Sequence, residues 1–123
     1  MEVVAVLGAS SDPNRYSYKA VELLKHYGHT ALPIHPRETE VLGLKVFPDL
    51  QEIIKKGIKV DTLTMYVNPA LSAKVQADIL ALKPQRVIFN PGTENPELER
   101  ALRAEGIKVE EACTLVLLRT NQY

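Results

Sequence analysis

Tryptophan is absent, phenylalanine occurs twice and cysteine once. A single thiol excludes an internal disulfide framework and is too few for a zinc or iron–sulfur site. The 123-residue chain must therefore be held by its apolar core. An excess of either charge is also missing, because 15 Lys and Arg balance 15 Asp and Glu. Such a surface has no broad pull on nucleic-acid phosphates or an anionic bilayer, so an anionic ligand has to be caught locally. No apolar run approaches the roughly 20 residues that cross a bilayer. Met1 leads straight into Glu2-Val3-Val4-Ala5-Val6-Leu7, without the basic region and cleavage site of a secretory leader. The expectation is a cytoplasmic protein with one domain, residues 1–123, and no membrane or nucleic-acid partner.

What the sequence does contain is a set of short aliphatic runs: Val3–Leu7, Thr30–Ile34, Thr62–Val67, Arg86–Phe89 and Ile107–Val109. They are continuous rather than alternating, as in strands buried on both faces. Helical spacing fills the gaps. Ala20, Val21, Leu23, Leu24 and Tyr27 share one face ahead of Gly28, a C-terminal stop. A second helix opens on Asp49-Leu50-Gln51-Glu52, the pattern of a reciprocal capping box, and closes at Gly57. A third runs from Asn68-Pro69 to the residue before Pro84, with Leu71, Val75, Ile79 and Leu82 along one stripe. A fourth starts at Asn95-Pro96 and ends at Gly106. Pro36 to Lys45 reads as an exposed connection, and Ala112 to Leu118 as a helical turn covering the sheet. Alternation of this kind requires right-handed crossovers. The expected fold is α/β: a Rossmann-like, doubly wound, parallel five-stranded sheet with helices on both faces.

In such sheets ligands sit beyond the carboxyl ends of the strands. After the first strand comes Gly8-Ala9-Ser10-Ser11-Asp12-Pro13-Asn14-Arg15-Tyr16-Ser17, which offers small residues, hydroxyls and a guanidinium at a helix entrance. That reads as a phosphate cradle; the plainer reading is a turn capped by Asn14 or Ser17. The dinucleotide fingerprint is missing beyond Gly8, and no carboxylate follows the second strand, which argues against NAD. No Gly-Lys-Ser/Thr follows any strand, so a Walker phosphate loop is absent. His35-Pro36-Arg37 can frame an adenine and bring Arg37 to a ribose phosphate, or can be a proline-stiffened loop with a solvated arginine. Tyr66-Val67-Asn68-Pro69 and Phe89-Asn90-Pro91-Gly92-Thr93-Glu94 carry helix-entry chemistry, and the usual strand order would bring both to the same crevice. His26, His29 and His35 lack metal-triad spacing. Glu110 and Glu111 point to opposite faces and read as solvated, and no Ser–His–Asp grouping is legible. Neither a metal nor a catalytic residue is expected. Cys113 reads as a small buried hydrophobe, with a thiol on the ligand edge as the alternative.

Gly8-Ala9-Ser10-Ser11 with Arg15-Tyr16-Ser17, then Pro33-Ile34-His35-Pro36, Leu42-Gly43, Phe47-Pro48-Asp49-Leu50 and Asn90-Pro91-Gly92-Thr93-Glu94-Asn95-Pro96-Glu97, follow one another in a distinctive order. Together they resemble the small CoA-binding protein family, which is similar to the CoA-binding domain of the succinate–CoA ligase alpha subunit. The resemblance spans essentially the whole chain and implies a coenzyme A site. In it Gly8, Ala9, Ser10, Ser11, Arg15, Tyr16 and Ser17 would hold phosphates, and His35, Pro36 and Arg37 would lie near the adenosine. Val67, Asn68, Asn90, Pro91 and Gly92 would border adenine and pantetheine. In the ligase a second domain supplies a phosphorylated histidine, and this sequence ends before one, so succinyl-CoA synthesis is not carried over. The expectation is a stand-alone CoA or acyl-CoA binding protein, a carrier, sensor or partner subunit, acting as a homodimer or with another protein. The alternatives are an NADP-dependent oxidoreductase with Arg37 at the 2′-phosphate, a CoA-thiol or acyl-CoA transforming enzyme using Cys113, and a scaffold domain with a vestigial cleft.

Overall fold

Each aliphatic run becomes a strand, and the intervening amphipathic segments become helices. The computed structural model describes residues 1–123. In chain order the elements are β1 (Val3–Leu7), α1 (Tyr16–His26), β2 (Thr30–Ile34), β3 (Glu40–Val41), β4 (Leu44–Lys45), α2 (Leu50–Lys55), β5 (Thr62–Met65), α3 (Pro69–Lys74), α4 (Gln76–Leu82), β6 (Arg86–Phe89), α5 (Pro96–Ala104), β7 (Lys108–Glu111) and α6 (Thr114–Arg119). The five long strands form one sheet in the order β2-β1-β5-β6-β7, parallel throughout. This is the expected doubly wound fold.

Alternation along the strands divides the core into two layers. Ala5, Leu7, Leu63, Met65, Val87 and Phe89 face Leu50, Ile53, Ile79, Leu98 and Leu102 from α2, α4 and α5. On the other face Val4, Val6 and Ala31 meet Val21 and Leu24 of α1 and Leu118 of α6. Each of these larger side chains stabilises the fold by about 1.5–3 kcal/mol when fully buried. No helix is long and apolar enough to cross a membrane.

Three local readings need correction. The connection from Pro36 to Lys45 contains a hairpin, β3 with β4, turned by Leu42 and Gly43 at φ +51° and +76°. Both central residues are left-handed, as a two-residue hairpin turn requires, and strands of two residues are too short to show a period. The hairpin buries Val41 against the α1 layer. The helix expected after Asn68-Pro69 is broken at Val75, whose amide closes a tight turn onto Ser72 O at 3.2 Å. The break lets α4 pack on α2 while α3 leans out over the strand ends. Only half of the capping box forms, with the Asp49 carboxylate accepting the Glu52 amide at 3.0 Å and no bond returning.

At the amino ends of the strands a charged anchor engages Glu110, which was expected to be solvated, while Glu111 is exposed as expected. Arg86 is 8% exposed and reaches Glu2 and Glu110 at 3.4 Å each, with the Tyr123 ring 4.4 Å from its guanidinium. Against its burial, the Lys108 bond and the Arg86 charge hold the Glu110 carboxyl below its ordinary range. This cluster ties the C-terminal residue to the sheet end opposite the loops discussed next.

Candidate functional site

Strand order reverses between β1 and β5, because the chain leaves β1 for the α1 face and β5 for the opposite one. Loops diverge at such a point and leave a crevice. Here it is a cleft of about 900 Å³, walled by the loops after β1, β2 and β5, the start of α2 and the outer side of α3.

The β1 loop is tight for a reason that involves protein, not ligand. Gly8 has φ +93°, and a Cβ there would lie 3.0 Å from Tyr66 O and from Val67 Cγ1. The glycine thus lets the loops after β1 and β5 touch. The amides of Gly8 and Ala9 both donate to Ile34 O, at 3.0 and 3.1 Å, so they are unavailable to an anion. What remains free lies further along. No side chain caps α1, whose N-cap is Arg15, so neither Asn14 nor Ser17 closes it. The first-turn amides and their partial positive charge therefore open beside Arg15, Tyr16 and Ser17 on the cleft wall.

The β2 loop brings His35, Pro36 and Arg37 to the opposite wall. The His35 Nδ1 accepts the amides of Arg37 and Glu38 at 3.0 and 3.1 Å. Glu38 in turn accepts the Ser11 amide and hydroxyl at 2.8 Å, which clasps the two loops together. Those bonds, the amide first and the hydroxyl second, hold the Glu38 carboxyl below its ordinary range. Val67 and Asn68 line the third side; the Asn68 Oδ1 caps α3 by accepting the Leu71 amide at 2.9 Å. Tyr66 lines the cleft too, and its buried hydroxyl finds no partner, so burial pushes the phenol's pKa up.

Two residues of the expected apolar stripe face the cleft instead: Leu71, 47% exposed, and Val75 at the bend line it, together with Lys74, which the stripe did not include. Tyr16, 69% exposed, lies on the α1 side, so the walls carry an exposed aromatic and an exposed aliphatic residue beside three cations. The cations are Arg15, Arg37 and Lys74, against the carboxylates Asp49 and Asp78. Asp49 is occupied in capping α2, and Asp78 accepts from Gln51 at 3.3 Å. Basic donors, unoccupied helix amides and an apolar flank of Leu50, Leu71 and Val75 suit a ligand with a phosphorylated end and a long, less polar arm.

The sequence profile of the CoA binding domain matches residues 2–119. The chain belongs to that family. A solved structure of an uncharacterized protein superposes on this CoA binding domain with a TM-score of 0.89 at 41% identity, covering 100% of this chain and 98% of that one. The alpha subunit of an ADP-forming acetate–CoA ligase II from Pyrococcus furiosus is 41% identical over 51 residues. Those residues are 41% of this chain and 11% of the ligase subunit. The dinucleotide-forming acetyl-coenzyme A synthetase 1 of Candidatus Korarchaeum cryptofilum, solved with phosphate and ADP, gives a TM-score of 0.75 at 26% identity. That match covers 90% of this chain and 25% of the synthetase.

Within the CoA binding domain the site residues expected from sequence fall into two groups. Gly8, Ala9, Ser10, Arg15, Tyr16, Ser17, His35, Pro36, Arg37, Val67 and Asn68 converge on the cleft. Ser11, Asn90, Pro91 and Gly92 do not. Ser11 is spent on Glu38. Asn90 is 3% exposed, donates to Thr64 Oγ1 at 2.7 Å and Met65 O at 2.8 Å, and accepts the Thr114 amide at 2.9 Å. Its loop is knotted internally by Thr93 onto Asn90 O at 2.8 Å and by the Gly92 amide onto Glu94 at 2.9 Å. The physical reason is position: β6 lies one strand beyond the reversal, so its loop abuts the cleft-lining helix rather than the cleft. Cys113 is half-buried at the N-cap of α6 and outside the cleft lining.

Proposed function

We propose that this chain binds coenzyme A or an acyl-CoA in the cleft at the strand reversal, as a binding module without a catalytic group of its own. The observation that carries this is the pairing of an uncapped helix entrance with Arg15, Arg37 and Lys74 on walls that also carry Leu50, Leu71 and Val75. Phosphates suit the cationic donors and the pantetheine arm suits the apolar flank. In this reading Arg15, Tyr16 and Ser17 take phosphate, His35, Pro36 and Arg37 border the adenosine, and Val67 and Asn68 flank the arm. The ligase subunit and the synthetase that this chain resembles carry CoA in their names, which supports the same ligand class. A role as carrier, sensor or subunit of a larger CoA enzyme fits a module of this size, and the compartment would be the cytoplasm.

Calorimetry with CoA, acetyl-CoA, NAD, NADP and ATP tests the assignment. The expected result is selective binding of CoA and acetyl-CoA, with a matching rise in thermal midpoint by mass action. Equal or tighter binding of NAD or NADP would replace the reading with a dinucleotide one.

A further inference from the structure

The His35 imidazole is bound in a way that selects one tautomer of its neutral ring. Its Nδ1 accepts two backbone N–H groups, from Arg37 at 3.0 Å and Glu38 at 3.1 Å. A ring nitrogen that accepts carries no proton, so the neutral ring keeps its hydrogen on Nε2, as a donor. The residue is itself held in place, since its own amide donates to Phe47 O at 3.0 Å. Beyond the turn, the Glu38 carboxylate takes the Ser11 amide and hydroxyl at 2.8 Å. One ring therefore shapes the loop after β2 and, through Glu38, restrains the loop after β1.

We infer that His35 is a positioning residue for nucleotide binding, whose unprotonated Nδ1 closes the turn that sets Arg37 and engages Glu38 with Ser11, leaving its Nε2–H to the ligand. This rests on the cleft being the CoA site.

The test measures CoA affinity by calorimetry at one neutral pH for the native chain, His35→Asn and His35→Ala, after thermal midpoints show that the variants are folded. His35→Ala, which loses both the turn and the Nε2–H, should bind roughly threefold to tenfold more weakly, the worth of a hydrogen bond or two. His35→Asn, whose Oδ1 can accept the same two amides but which has no Nε2–H, should recover part of that loss. Native-like binding by His35→Ala, or a folded His35→Asn variant that binds as weakly as His35→Ala, would each overturn the inference. Nitrogen-15 spectra of the imidazole in the ligand-free protein separate the two layers of the argument. If CoA fails to bind, the ligand assignment falls, and the ring nitrogen shifts still decide the positioning role: an unprotonated Nδ1 at neutral pH upholds the turn, a protonated one refutes it.

Discussion

Two of the three Asn-Pro steps open helices after neighbouring strands of the sheet, and their surroundings differ. Asn68 is exposed on the cleft, and its Oδ1 caps α3 through the Leu71 amide at 2.9 Å. Asn95 is 8% exposed, and its Oδ1 caps α5 through the Leu98 amide at 3.1 Å. Its Nδ2 does a second thing, donating to Ser72 Oγ on α3 at 2.9 Å. The same dipeptide thus opens a helix beside the cleft in one place and braces that helix from behind in the other. Asn90 extends the second role into the sheet. The loop after β5 lines the cleft and the loop after β6 braces its wall.

The largest effect expected from this division falls on Asn90. Asn90→Ala removes the side-chain partner of Met65 O and of the Thr114 amide in a buried setting and leaves Thr64 Oγ1 with the Thr114 hydroxyl alone, and should cost about 2–4 kcal/mol of stability, since each buried orphan costs about 1–3. Urea unfolding measures it. CoA affinity of the folded variant should change by less than about twofold, because no bond of the kind worth 0.5–1.5 kcal/mol is lost to ligand. A variant of full stability and lost affinity would move the β6 loop into the site and erase the comparison.

Arg15→Ala is the converse and the next largest. It should weaken CoA by about 1.5–3 kcal/mol through loss of charge-assisted bonds, with the urea midpoint unchanged because Arg15 caps α1 by backbone geometry alone. Calorimetry at fixed salt shows it; unchanged affinity would displace the phosphate end from the α1 entrance. The paired caps sharpen the contrast further. Asn68→Ala should cost about 1 kcal/mol of stability, the usual worth of an N-cap. Asn95→Ala should cost about 1 kcal/mol more, because it also releases Ser72. Equal losses would show that the bond to α3 contributes nothing.

Much of this architecture was legible in the chain. Runs such as Val3–Leu7 and Arg86–Phe89 state a parallel sheet because strands buried on both faces need no polar alternation. The loops on the cleft were found because the carboxyl ends of strands beside a reversal are where backbone is free to meet ligand. The bend at Val75 was not, since a stripe of Leu71, Val75, Ile79 and Leu82 fits one straight helix equally well. The same stripe concealed the cleft role of Leu71 and Val75 and drew attention from Lys74 between them. Gly8 has a second use that the sequence does not show: it lines the cleft, and its lack of a Cβ also lets Tyr66 O and Val67 approach. Nor does a sequence show that Asn90 turns its amide inward, because Asn-Pro-Gly is as common in exposed turns as in braced ones.

The smallest predicted effect concerns the far end of the brace. Glu99 is 3% exposed, accepts the Asn95 amide at 3.0 Å and has the Arg103 guanidinium 3.9 Å away. Burial, then a hydrogen bond shared with Glu111 from the end of β7, raise its carboxyl above the ordinary value of 4.5; the Asn95 amide and Arg103 pull the other way without prevailing. An acid whose pKa is raised by folding binds its proton more tightly in the native state than in the unfolded chain. Acidification from neutrality through the raised value should therefore add stability, and the gain should level off below 4.5. The Glu38 clasp has the opposite sign, because its lowered carboxyl contributes above 4.5 and fades below it. The difference between the native chain and a variant at this one residue isolates Glu99 within the window above 4.5. Glu99→Gln keeps an oxygen for the Asn95 amide and cannot ionise, so its urea midpoint should equal or exceed that of the native chain at pH 7 and vary less between about pH 7 and 5. If Glu99→Gln is instead destabilised at pH 7 as much as Asn95→Ala, the ion pair with Arg103 outweighs burial, and the brace depends on a charge as well as on the hydrogen bonds of Asn95.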